Sequence, residues 1–510
     1  MVSYLQKIIL AAALMLTTTV AAQAQRLLHG NCLPDVGQTM SPGLDGQGIP
    51  ARPNRLSLMS NWDSTRVYPV AVILVSFSDC DFLEDSTPER YDRIFNEEGY
   101  NEGKGPGCVA DYFRTQSGGL FKPHFDIYGP VKVAANAKST SNTNYGKDIF
   151  REATKLLLDS LDIDISVYDW DGNGRAESFV YVYAGYGGNE SVDVCTGSIW
   201  PNTSTFPSIA VNGTIVNSYS ASPERWGNDK LCGIGTICHE YSHTLGLPDI
   251  YPTASGAGYS VCDEWDLMDG GNFINNGWCP CNYSALEKML LGWGKPVELT
   301  DPAQISEMKP ISEGGEFYRV SCSDNEYYLL ENRQWSGWDL RAPGHGLLIA
   351  HVDYQANRWS SNTVNNLKDH RCYSFISADG LDYDAWDAII GNNNPRVEGH
   401  SRILSTSPYP YVAEDIENRE LTDTSEPAAT VYSNEGLMGK PITDIHENEE
   451  GLVSFNFMWD DLSTIYWTPE YMLTDSAKQR VYDLHGRRAG STAKLVIMGG
   501  KKYVHRRSDK

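Results

Sequence analysis

The sequence predicts an α+β domain divided by a cleft, with one helix presenting two histidines into it, followed by a β-rich domain read as a β-sandwich. Three observations lead there. Strand-like and helix-like runs are mixed over residues 67–295. One helical run within that region, Gly233 to Asp249, carries the pattern His-Glu-x-x-His. After about Gly294 the long helical patterns stop, and short apolar runs such as Leu347-Leu-Ile-Ala-His-Val352 recur between polar turns, which is strand-rich texture. A second arrangement fits the same texture, in which the first part of the β-rich region packs onto the first domain as an extension.

Taken in order, residues 1–24 read as a secretory signal. Lys7 supplies the positive start, Ile8 to Leu16 a short apolar core, and Ala22-Gln-Ala24 a small-residue cleavage site. That core is too short for a comfortable membrane span, and no other run reaches that length, so no transmembrane segment is expected. Residues 25–66 are rich in Gly, Pro and Asn and read as a leader or propeptide. Pro69 to Phe77 is β-branched and nearly all apolar, as a strand buried on both faces is. Ala110 to Ser117 reads as a helix end turned by Gly118-Gly119. Asp148 to Leu161 is amphipathic, with Ile149, Ala153, Leu156 and Leu157 on one face. Phe179 to Tyr183 reads as a strand. The β-rich domain is expected over 296–461. Residues 462–510 read as short strands with glycine turns and carry, from Lys478 onward, ten basic and two acidic residues.

Composition narrows the partners. The 510 residues carry a net charge of −25, from 41 basic and 66 acidic side chains, which repels phosphates and argues against nucleic acid. Export permits disulfides, but 11 cysteines leave at least one outside any internal pairing. Cys279-Pro-Cys281 has no second such pair, and its structural reading outweighs a metal site.

The chemistry is concentrated in His239-Glu240-Tyr-Ser-His243. Histidines four apart share one face of a helix, so both can grip one zinc ion. Glu240 sits beside them as a carboxylate able to take a proton from activated water. Gly246 can adopt the left-handed conformation that ends a helix, and Pro248 opposes continuation. Asp249, ten residues after His239, can then return as a third ligand. Glu264 is the rival for that position. Met268, in the tight turn Asp266-Leu-Met-Asp-Gly270, fits an apolar base under the metal as well as plain core filling.

This arrangement resembles the metzincin signature, with aspartate in place of the usual third histidine. The flanking segments resemble the immune inhibitor A family of secreted bacterial zinc metallopeptidases. Those segments are His239 to Asp249, Ala285 to Trp293, Tyr327 to Arg333 and Pro343 to Asp353, and the resemblance runs from about Val70 to Ala378. It implies a secreted metalloendopeptidase acting on protein or peptide substrates. It also implies an edge strand that binds extended peptide, for which Tyr181 to Gly188 is the candidate. Residues 462–510 resemble the sorting segment of proteins exported by the type IX pathway, which implies a contact with secretion machinery. Cys32-Leu-Pro-Asp-Val-Gly37 partly resembles the latency segment of matrix metallopeptidases.

A second ion site is a candidate at Asp169-Trp-Asp-Gly-Asn-Gly-Arg-Ala-Glu177. Oxygens of Asp169, Asp171 and Asn173 at alternate positions match the first half of a calcium loop, with Glu177 as a substitute closing ligand. A polar turn before the next strand fits equally. His345 and His351 read as structural histidines. The function alternative to a peptidase is an exported binding or adhesion protein on a protease fold, which the complete His-Glu-His-Asp set disfavours.

Overall fold

The computed structural model describes residues 62–137, 146–177, 179–188, 199–226, 230–254, 261–380, 404–413 and 416–459, together with two strands at 495–498 and 501–504. The signal segment, the leader up to residue 61 with Cys32, and the rest of 462–510 lie outside the described residues. At the far end, Leu495–Met498 and Lys501–Val504 pair antiparallel.

The first sheet contains β1 (Tyr68–Ser76), β2 (Pro123–Lys132), β3 (Phe179–Tyr186), β4 (Asn202–Val211), β5 (Thr214–Trp226) and the short β6 (Lys230–Leu231), in the order β2-β1-β3-β5-β4 with β6 on β5. The β1–β2, β1–β3 and β3–β5 pairs are parallel, and β4 runs antiparallel to β5. Parallel neighbours need crossovers. Helices α1 (Pro88–Asn96) and α2 (Val109–Gln116) lie between β1 and β2, and α3 (Lys147–Ser160) between β2 and β3. The β4–β5 connection is a two-residue hairpin, with Asn212 at φ 49° and Gly213 at φ 90°, the torsions of a twist-matched turn.

β1 shows why its sequence is almost entirely apolar. Val70, Val72 and Leu74 enter one core, while Ala71, Ile73 and Val75 enter a second on the other face. On α3 the buried face carries Ile149, Phe150, Ala153 and Leu157. Leu156, placed on that face by its spacing, is instead 41% exposed, because the helix turns Phe150 rather than Leu156 toward the sheet. The strand expected at the cleft, Tyr181 to Gly188, is corrected too. β3 lies between β1 and β5, with both of its edges paired, and the end strands of the sheet are β2 and β4.

Helix α4 (Ile234–Leu245) packs against β4 and β5. Beyond it come α5 (Ala285–Leu290) and strands β7 (Val297–Glu298), β8 (Ala303–Met308), β9 (Tyr318–Ser321), β10 (Glu326–Arg333), β11 (Gly346–Asp353) and β12 (Tyr373–Phe375), with the short α6 (Ala356–Ser360) after β11. The second sheet has the order β12-β11-β10-β9-β7. Its two faces serve different cores. Tyr327, Leu329, Leu348, Ala350 and Val352 join the core that holds Ile237, Cys238, Tyr241 and Leu245 of α4. Tyr328, Leu330, Leu347 and Ile349 face a third core shared with a small sheet that contains β8. One continuous apolar core therefore includes residues on both sides of position 295.

Arg333 anchors that junction. Fully buried, it makes two bonds of 2.7 Å to Asp339 and one of 2.9 Å to Glu331, over the ring of Trp265. A buried guanidinium needs such pairing to offset its desolvation.

Candidate metal centre

Every residue of α4 is buried, so the helix is enclosed on all sides. Its glycines allow that enclosure: a Cβ at Gly235 would lie 1.9 Å from the carbonyl oxygen of Asn272. Gly246 caps the helix at φ 110°, ψ 2°, torsions that disfavour a side chain. Its N–H donates to His243 O at 3.0 Å, and Leu247 N–H donates to Ser242 O at 3.2 Å. The chain then reverses and brings Asp249 back to the histidine face.

His239 and His243 stand one turn apart, with ring centroids at 4.8 Å. Each Nδ1 meets a backbone carbonyl at 2.8 Å, Leu267 O for His239 and Leu247 O for His243. Donation from Nδ1 leaves the Nε2 lone pair facing the site. Both Nε2 atoms point at Asp249 Oδ1, at 3.2 and 3.1 Å. Apart from the two imidazoles, that oxygen is buried with no hydrogen-bond partner. Three lone-pair donors converging on one buried point fit a divalent cation, and two imidazoles with one carboxylate suit zinc.

Asp249 is itself clasped from afar. Asn362 Nδ2 donates to Asp249 Oδ2 at 2.6 Å, and Asp249 N–H donates to Asn362 Oδ1 at 2.7 Å. Asn365 donates to Ile250 O at 2.8 Å, and Thr253 N–H donates to Asn366 Oδ1 at 2.6 Å. Sequence reasoning missed these three asparagines. The only available signal was their clustering shortly after β11.

Glu240 is buried beside the histidines. Burial pushes its carboxyl above the usual range, with His239, His243 and the Thr203 hydroxyl pulling it down. Thr203 Oγ1, near the start of β4, lies 2.6 Å from Glu240 O and 3.1 Å from its Oε2. Burial opposes charge on Asp249, yet the two imidazoles hold its carboxyl well below the usual range. Burial opposes charge on His239 as well, and Asp249 and Glu240 carry it up to about 9.

Met268 is buried, and its carbonyl accepts from Ile250 N–H at 2.8 Å. With Leu267 O on His239, this turn braces both the first histidine and the stretch after Asp249. Glu264 lies in a short 3-10 turn, Asp263–Trp265, and does not join the group formed by His239, His243 and Asp249.

Asp169, Asp171, Asn173 and Glu177 form a turn that binds its own backbone. Asp169 accepts from the N–H groups of Asn173 and Gly174 at 3.0 and 2.8 Å, and Asp171 Oδ1 accepts from Asn173 N–H at 3.1 Å. Their carboxylates do not form a converging group with Glu177 among the described residues. His345 pairs with Glu447 and His351 with Glu326, each at 2.8 Å. Cys279 and Cys281 are buried and belong to no ligand group among the described residues.

The class of domain that carries this geometry is set by comparison with known proteins. Residues 70–291 match the family model described as immune inhibitor A peptidase M6, catalytic domain. The chain is 25% identical over 301 residues to immune inhibitor A of Bacillus thuringiensis subsp. alesti, covering 48% of this chain and 42% of that protein. It is 24% identical over 241 residues to pre-pro-metalloprotease PrtV of Vibrio cholerae serotype O1, covering 40% of this chain and 26% of that protein. The chain thus spans less than half the length of these curated relatives. The 70–291 segment is thus similar to a metallopeptidase catalytic domain. No helix among the described residues is long and apolar enough to cross a membrane.

Proposed function

We propose that the chain is an exported zinc endopeptidase, with His239, His243 and Asp249 as zinc ligands and Glu240 as general base. The observation that carries the reading is the buried, otherwise unpartnered Oδ1 of Asp249 facing two imidazole Nε2 atoms, with Glu240 on the same helix. Zinc held there supplies Lewis-acid activation of water and of the scissile carbonyl. Glu240 takes a proton from the attacking water and delivers it to the leaving amine. Its burial strengthens its hold on that proton, and the Thr203 hydroxyl keeps the carboxylate oriented.

The substrate is an extended segment of protein. The open edge of β4 offers main-chain groups to such a segment, as in strand addition, and Thr203 ties that edge to Glu240. The signal at residues 1–24 and the sorting-like segment at 462–510 direct the protein out of the cell. Calcium, where it binds the Asp169–Glu177 loop, stiffens the approach to β3 and takes no part in the chemistry.

Metal removal tests the reading. Chelation abolishes cleavage of unfolded casein, and stoichiometric zinc restores it. Cleavage that survives complete zinc removal contradicts the proposal.

A further inference from the structure

A second group of ligating side chains converges away from the first. One ligand atom from each of Asp353, His370 and Cys372 lies within 4.8 Å of the others. The backbone explains the convergence. Asp353 ends β11, and its N–H donates to Cys372 O at 2.9 Å, so the two residues face each other across the ladder's end. Gln355 stands two residues after Asp353, and His370 two residues before Cys372.

The polar atoms of this cluster crowd one point. Asp353 Oδ2 lies 2.6 Å from both His370 Nε2 and Gln355 Nε2, and those two nitrogens are 3.1 Å apart. A protonated His370 Nε2 and the Gln355 amide can both donate to that one carboxylate oxygen. An unprotonated Nε2 turns its lone pair toward the carboxylate. A half-turn of the Gln355 amide, which exchanges its oxygen and nitrogen, leaves carboxylate, imidazole, amide oxygen and sulfur as lone-pair donors around one point. That arrangement fits a cation.

We propose that Asp353, His370 and Cys372, with Gln355 as fourth ligand, form a structural zinc site. Sulfur with imidazole selects zinc over calcium or magnesium. Burial pushes the Cys372 thiol up to about 11, with Arg358 opposing. Binding therefore exchanges the thiol proton for the ion, forming a zinc–thiolate bond and releasing one proton to solvent. The ligands are already held. The His370 ring stacks on Tyr432 at 3.8 Å and 11°, and Cys372 N–H donates to Asn365 Oδ1 at 2.9 Å. The site closes the base of the 353–372 segment, the arm whose asparagines clasp Asp249 and its neighbours. Its role is to fix that arm.

The site goes beyond the proposed peptidase chemistry and is separable from it, because the His239, His243 and Asp249 set contains no thiol. The test loads the reduced, metal-depleted full chain with cobalt(II) and records absorption and bound cobalt. Thiolate-bound cobalt gives a near-ultraviolet charge-transfer band that imidazole and carboxylate ligands do not. The expected result is that band in the parent, with about two cobalt ions per chain. Cys372→Ser and His370→Gln each lose the band and fall to about one ion, whereas His243→Ala retains it. Absence of the band in the parent overturns the site, as does its persistence in Cys372→Ser.

Discussion

Asp249 faces two ways. Oδ1 meets both imidazoles, and Oδ2 is locked to Asn362 from a segment more than a hundred residues later. A ligand held on its far side presents its near oxygen in one orientation, which is how outer contacts tune metal affinity. Asn362→Ala is expected to weaken zinc binding about 10- to 100-fold, read by competition with a chelator of known affinity; unchanged affinity would remove Asn362 from the account. Thr203 plays the matching part for Glu240. Thr203→Val is expected to lower kcat by roughly tenfold with little change in KM, and an equal rise in KM would assign Thr203 to substrate binding instead. The residues of the His-Glu-x-x-His helix and its turn were legible because their chemistry depends on short spacings. Asn362 and Thr203 were not, since their partners are set by tertiary contact alone.

At the level of elements, α4 approaches its neighbours backbone to backbone. Gly235 meets Asn272, and Gly233 meets Gly277, at distances that leave no room for a methyl group. Gly235→Ala is expected to cost about 1–3 kcal/mol through overpacking, seen as a lower denaturant midpoint at unchanged m-value. Strands and helices with strong periodicity, β1 and α3, could be located from sequence. The order of the strands could not. It took the structure to place β3 inside the sheet and β4 at its edge, although Asn212-Gly213 is a hairpin signal that could have found β4 and β5. Leu156 shows the finer limit: spacing gives a stripe, and packing decides which side chains of the stripe are buried.

Across the whole molecule, the β10–β11 sheet joins the two halves. Alternate residues of each strand feed different cores, and one of those cores contains the metal-site helix. The change of texture near Gly294 marks a change of secondary structure and not a break in packing, because sequence composition records local periodicity and carries no trace of which apolar faces meet. The same continuity explains how residues 362–366 brace Asp249 and its neighbours: the arm that carries them leaves the end of β11. We propose that this assembled site hydrolyses peptide bonds with Glu240 as base. The most direct measurement is casein cleavage by the chain beside its Glu240→Ala variant at matched zinc content. The account predicts equal zinc in both and a fall in turnover of about 10²- to 10⁴-fold in the variant. Near-normal cleavage by zinc-loaded Glu240→Ala would contradict it.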